Sequence, residues 1–262
     1  MKVLDIGNTR IKCYEVKSID DIDIIFDISA KKQILEYYIE NYKEEIYTIS
    51  TNKEFEDFII IKKLKKIDTP LFEKLTNFKS PYEGYGIDRL INSFAAYWLY
   101  SKDMPNNLDT LENSGILANR GILVNRGILV GRGILVGRGI LVVSMGSAIT
   151  YDVVKSMKIE YGYITPGLSQ RKEILHAGIP HLPALKDEFN NISELLALKK
   201  PSNTKEAIAL GILKELISTI ETIKNEENVE VVITGGDADL FKGMFTIDKF
   251  LIPKGIFLAF KK

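Results

Sequence analysis

The sequence has one cysteine, two histidines and one tryptophan in 262 residues, and its formal net charge is zero. A lone thiol, Cys13, excludes any internal disulfide. Its apolar-alternating surroundings mark it as a buried structural group, and a reducing cytoplasm is the expected setting. With only His176 and His181 beside that cysteine, a zinc site of soft ligands is not expected, and any metal should be hard, held by carboxylate and phosphate oxygens. No run approaches the roughly 18 apolar residues of a membrane span, and the opening residues lack the apolar core of a secretory leader, so no membrane partner is expected. Thirty-five basic residues balance 35 acidic ones. Bulk charge therefore gives no support to nucleic-acid binding.

That balance has a local origin. Residues 115–138 read GILANR GILVNR GILVGR GILVGR, four hexads with four of the seven arginines and no acid. Without them 31 basic residues face 35 acidic ones, a formal charge of −4. In another frame, Val130 to Leu135 approximates the hexapeptide of a left-handed β-helix and so an acyltransferase, but four hexads make little more than one coil, and one coil cannot bury its own apolar face. The near-identity of the copies reads instead as a tandem duplication inside a loop, with Ile-Leu-Val triplets favouring strands and Asn-Arg-Gly or Gly-Arg-Gly favouring turns.

What remains shows a repeated pattern. Lys2–Ile6, residues 11–16 and residues 21–28 read as three successive strands, followed by a helix over 31–42 with Ile34, Leu35, Tyr38 and Ile39 on one face, and a strand at Ile46–Ser50. From Asp88 a helix carries Leu90, Ile91, Phe94, Ala95, Trp98 and Leu99 on one face, with Asp88 placed to cap it. After the hexads, strands at 140–144, 149–154 and 158–163 repeat the opening. Val3-Leu4-Asp5-Ile6-Gly7-Asn8-Thr9 sets without gaps over Val142-Val143-Ser144-Met145-Gly146-Ser147-Ala148, and Asp5 over Ser144 is a weak match. Asn203 to Glu206 reads as a capping box opening a helix that buries Ala207, Ile208, Ile212, Leu216, Ile217 and Ile220. A strand at 229–234 ends in Gly235-Gly236-Asp237. The expected organisation is an N-terminal domain over 1–100, a linker with the hexads over 101–138, and a C-terminal domain over 139–262.

Two strand–glycine–strand turns facing each other would bring backbone N–H groups close to phosphates, with Asn8, Thr9 and Ser147 as short donors. Asp5 suits a hydrated divalent ion on phosphate oxygens, and Gly235-Gly236 offers a flat surface for an adenine. Asp-x-Gly-Asn or Gly-Gly-Asp alone is an ordinary turn. Their order is more specific. Asp5 to Arg10, Gly86-Ile87-Asp88-Arg89, Gly146 to Thr150, Ile164 to Leu168, Thr204 with Ala207-Ile208 and Gly211, and Thr234 to Ala238 occur in the order seen in type III pantothenate kinases.

The chain resembles that family from Lys2 to its last residues, omitting only the hexads. The resemblance implies an α/β fold of two ribonuclease-H-like domains with a cleft between them, the arrangement of actin-like ATPases, here with an inserted hexapeptide-repeat loop. It implies ATP-dependent phosphorylation of pantothenate in coenzyme A biosynthesis, with Mg2+, and a homodimer. By the same resemblance Asp5, Ile6, Gly7, Asn8, Thr9, Arg10, Ile11 and Lys12 form an ATP-phosphate loop, joined by Ser147, Gly235 and Gly236. Gly86, Ile87, Asp88 and Arg89 bind pantothenate, Asp88 is the proton acceptor, and Arg89 meets the substrate carboxylate. Thr204 corresponds to a family position that reaches the substrate across the dimer. One of Phe78, Tyr82 and Tyr85 replaces the family's pocket tyrosine, with Tyr82 chosen. The family has Asp where this chain has Ser144, and that Asp holds a monovalent cation, K+ or NH4+. A neutral hydroxyl should weaken or abolish that site. The usual Gly-Gly pair before the Ile-x-Pro-Gly motif is here Tyr161-Gly162. Two alternatives follow: a catalytically weak homologue with a regulatory role, like the Bvg-accessory-factor-type proteins, or a kinase for a sugar or another small alcohol.

Overall fold

The computed structural model describes residues 1–40, 42, 44–101, 139–185, 188–189, 192–198 and 200–261. The hexads lie outside the described residues, as does all of the expected linker except Ser101. In the first half, β1 (Lys2–Ile6), β2 (Arg10–Val16) and β3 (Ile22–Ser29) form an antiparallel meander. Helix α1 (Lys32–Ile39) leads to β4 (Ile46–Ser50), which pairs parallel to β1. Then come α2 (Glu56–Ile61), β5 (Lys65–Lys66), α3 (Thr69–Thr76) and α4 (Ile87–Tyr100). The second half runs β6 (Ile140–Met145), β7 (Ala148–Lys155), β8 (Lys158–Pro166), α5 (Leu168–Gly178), α6 (Ile192–Ala197), α7 (Thr204–Glu227), β9 (Glu230–Gly235), β10 (Thr246–Ile247) and α8 (Leu251–Phe260). The sheet orders are β3-β2-β1-β4-β5 and β8-β7-β6-β9-β10. Each sheet thus repeats the other strand for strand, which is the duplication expected from the paired turns.

Alternation along the strands decides which side chains meet which layer. On β1, Leu4 and Ile6 pack with Ile11, Cys13, Leu35 and Ile39 on one face, while Val3 turns to the other. On β6, Leu141, Val143 and Met145 face α7, whereas Ile140 and Val142 join Val3, Tyr14 and the apolar residues of α4 and α8. Helices α4 and α8 therefore lie in the layer shared by the two sheets. A sheet covered on both faces is written as a continuous apolar run, as Ile140 to Val143 is. Helix α8 crosses α4 closely because residue 255 is glycine: a Cβ there would stand 2.7 Å from the Ile91 side chain and 3.0 Å from its carbonyl oxygen. The C-terminal helix returns to the first half and packs against α4, β1 and β2.

The differences from the expected elements have local causes. Helix α4 is buried on every side from Arg89 to Tyr97, where periodicity marked one face, because sheet, sheet and α8 surround it. Helix α1 is shorter than 31–42 and buries only Leu35 and Ile39, while Tyr38 lies half-exposed against Phe26. At α7, Asn203 Oδ1 accepts the N–H of Glu206 at 3.0 Å, and Glu206 Oε2 accepts the N–H of Ser202 at 2.7 Å, a capping box reaching one residue further back. Ile212, Leu216 and Ile220 are buried as expected, but Ala207 is exposed and Leu210 and Leu213 complete the face. Cys13 is buried and its thiol is pushed up to about 12 by desolvation, an inert structural group. No described helix is long and apolar enough to cross a membrane.

Candidate active site

The first turn closes residues 7–10 between Ile6 and Ile11, and the second closes residues 146–148 between Met145 and Ile149. Both glycine amides are used inside the turn: Gly7 N–H donates to Arg10 O at 3.0 Å, and Gly146 N–H to Ala148 O at 3.1 Å. The exposed residues that follow, Asn8, Thr9 and Ser147, donate their N–H groups to no described residue. These amides, not the glycine amides, are the ones left to a phosphate. Among the other residues expected in the loop, Ile6 and Ile11 bury their side chains in the core, and the Ile6 carbonyl accepts the N–H of Thr51. Arg10 pairs with Asp27, Nε to Oδ1 at 2.6 Å.

Asp5 sits on β1 opposite Lys12 of β2. Burial, followed by the negative charge of Asp88, pushes its carboxyl up to about 7, against the pull of Lys12. Asp88 occupies the first turn of α4, behind Gly86 at the cap position. Its carboxylate is raised by burial, while hydrogen bonds from the backbone N–H groups of Arg89 and of Asp88 itself, and the Arg89 charge, act the other way. The expected cap is thus Gly86 and not Asp88, because the helix begins one residue earlier at Ile87 and no side chain caps it, which leaves Asp88 as a first-turn carboxylate and a candidate base. Gly86 leaves it room, since a Cβ there would stand 2.7 Å from Asp88 Oδ1.

Arg89 is 5% exposed and reaches into the second half, where Asp152 on β7 is 1% exposed. Its Nε donates to Asp152 Oδ2 at 3.2 Å and its Nη2 to Asp152 Oδ1. Tyr85 lays its ring 4.3 Å from the guanidinium carbon and donates its hydroxyl to Asp152 Oδ1 at 2.7 Å. Arg89 Nη1 donates to the hydroxyl of Tyr82 at 3.3 Å. The three candidate aromatics thus separate: Phe78 is core, Tyr85 serves the ion pair, and Tyr82 is the exposed residue whose hydroxyl meets Arg89. Ile87 packs in the core, and Thr204 is exposed at the start of α7. At its other end α4 is tied to the second half by Tyr100, whose hydroxyl donates to Asp248 Oδ2 at 2.8 Å.

Ser144, the counterpart of Asp5, accepts a hydrogen bond on Oγ from Asn92 Nδ2 of α4 at 3.1 Å. Gly235 ends β9 beside Met145 with φ +100°, and a Cβ there would overlap the Met145 carbonyl, so only glycine lets β9 end against the second turn. Gly236 is exposed, and a Cβ there would meet no atom within 4 Å. Sequence reasoning missed Asp152 and Asn92. The signal for Asp152 was present: it is the one charged residue in the apolar stretch Ile149 to Val154.

Two mixed α/β sheets of the same order, with glycine turns at matching ends, place the chain in a class of duplicated two-sheet α/β folds. The crystal structure of a conserved Baf family transcriptional activator from Campylobacter jejuni shares the fold, with a TM-score of 0.61 and 22% identity over 99% of this chain and 96% of that one. Within that class the chain is similar to the type III pantothenate kinases, whose family model matches residues 128–226. Proteins named type III pantothenate kinase are 32% identical over 120 residues in Acinetobacter baumannii and 34% over 119 in Campylobacter jejuni, covering 44% of this chain in each case and 47% and 53% of those proteins. The chain spans about half the length of the curated relatives it matches.

Proposed function

We propose that the chain is an ATP-dependent pantothenate kinase, forming 4'-phosphopantothenate in coenzyme A biosynthesis. The observation that carries this reading is that the Asp88 charge on α4 raises the carboxyl of Asp5 on β1, just before the first of two matched glycine turns, so two buried carboxylates lie within electrostatic reach of each other. The amides of Asn8, Thr9 and Ser147 hold phosphate oxygens, and Gly235-Gly236 receives the adenine. Asp88 accepts the proton of the acceptor's primary hydroxyl while that oxygen attacks the γ-phosphorus in line. Its elevated pKa brings it closer to neutrality, where a general base works best. Arg89 and the Tyr82 hydroxyl orient the acceptor's carboxylate.

A divalent cation such as Mg2+ fits Asp5, which accepts no hydrogen bond among the described residues and whose charge is opposed by burial and by Asp88. When bound, that cation neutralises charge on the transferring phosphate. A monovalent cation does not fit Ser144: its oxygen is uncharged and already faces an N–H donor. The homodimer, with Thr204 reaching a partner's pocket, and the cytoplasmic setting belong to the same proposal. The test is phosphopantothenate formation from ATP by wild type and Asp88→Asn. Equal rates remove Asp88 as the base, and nucleotide binding without turnover favours a regulatory homologue.

A further inference from the structure

Arg89 is the buried cation of the acceptor region, and the residues enclosing it come from both halves. Of the five N–H donors of a guanidinium, Nε and one on Nη2 are taken by Asp152 and one on Nη1 by Tyr82. Two have no described partner. Tyr85 covers one part of the group with its ring and fixes the Asp152 carboxylate with its hydroxyl. Gly162 on β8, directly opposite Asp152 in the β7–β8 pairing, completes the enclosure. A Cβ at Gly162 would overlap Asp152 Oδ1 and stand 2.5 Å from Arg89 Nη2. This accounts for glycine at position 162 when its neighbour 161 is tyrosine.

We propose that Asp152 is a positioning residue of the acceptor site: with Tyr85 and Gly162 it fixes the Arg89 guanidinium, and through it the first turn of α4 that carries Asp88, leaving two N–H donors for an anionic acceptor. The consequence for catalysis rests on the kinase reading above. The ion pair is close to neutral as a unit, so it recognises a carboxylate by the direction of its donors more than by net charge. Asp152 touches neither phosphate nor acceptor in this role.

Two variants disturb the guanidinium by different means. Gly162→Ala pushes on it without changing charge. Asp152→Asn replaces one accepting oxygen by an N–H donor facing it. Both are assayed with pantothenate and with pantothenol, in which the carboxylate is replaced by a hydroxymethyl group. The expected result is a fall of about 10- to 100-fold in kcat/KM for pantothenate, the scale of one hydrogen bond to a charged group, expressed mainly in KM. Pantothenol should lose only the part that comes from a displaced Asp88, less than pantothenate loses, with the KM for ATP unchanged. Asp248→Asn, which loosens the other end of α4, should lower Tm without changing the preference between acceptors. Equal losses with both acceptors, or an equal loss of ATP affinity, overturn the proposal. If wild type phosphorylates neither acceptor, the kinase reading fails, and hydrogen exchange at the amides of residues 90–93 decides the positioning role. Faster exchange confined to that turn in Asp152→Asn supports it, and unchanged exchange refutes it.

Discussion

The two halves share a sheet order and differ in the residue that stands two places before each turn glycine. Asp5 is a carboxylate without a described hydrogen-bond donor, held close to Asp88 and pushed up to about 7. Ser144, at the equivalent place, is a neutral hydroxyl satisfied by Asn92. The second turn is also one residue shorter, 146–148 against 7–10. Duplication has kept the scaffold and divided the electrostatics. The first turn follows a carboxylate suited to a cation, whereas the second follows a neutral oxygen that already accepts a hydrogen bond.

The comparison breaks most sharply at Asp88, whose charge acts on Asp5. Asp88→Asn should reduce kcat by about 10²- to 10⁴-fold, the range of general-base catalysis. Burial raises the Asp88 pKa, so the base is protonated at a higher pH than an ordinary carboxylate, and wild-type kcat should climb with pH above that range. Initial rates across an acid-to-neutral series should show this limb in wild type and lose it in the variant.

Asp5→Asn sharpens the contrast from the other side. It should weaken Mg-dependent use of ATP by about 10- to 100-fold, as for loss of one charged contact. It should also stabilise the ligand-free protein at pH 8. A carboxyl whose folded-state pKa lies above its unfolded value loses stability as pH rises between the two, here from about 4 to about 7. Thermal melts of the variant should therefore vary less over that window than those of wild type. A smaller effect is expected where the closing helices of the two halves meet. Gly255→Val adds side-chain volume against Ile91 and Ala95 and should cost about 1–3 kcal/mol, read from urea unfolding. The smallest belongs to the second turn. Ser144→Asp places a charge beside Asn92 and should cost about 1 kcal/mol in sodium, with recovery in potassium if the added charge recreates a cation site.

Much of the fold was legible because strands and turns are written locally. Lys2–Ile6 and Ile46–Ser50 lie where the alternation put them, and the match of residues 3–9 with 142–148 foretold two sheets of one order. Helix α4 was read as having one apolar face because periodicity cannot register a helix packed on several sides. The site divided in the same way. Asp5, Asp88 and the turns follow from motifs contiguous in sequence. The partners of Arg89 and Ser144 do not, since Asp152 is 63 residues from Arg89 and Asn92 is 52 from Ser144. Only the pairing of the halves brings them together. Glycine was read in the turns for its amide, yet those amides are internal, and glycine is demanded at 139, 162, 167, 235 and 255, where neighbouring atoms occupy the space of a Cβ.

The most direct measurement is 4'-phosphopantothenate formation from ATP, Mg2+ and pantothenate in sodium and in potassium buffers of equal ionic strength. The division between a carboxylate before the first turn and a neutral, hydrogen-bonded serine before the second predicts product in both, at rates within about twofold, and none without Mg2+. Strict dependence on potassium would contradict the account of Ser144, and no product in either buffer would contradict the kinase itself.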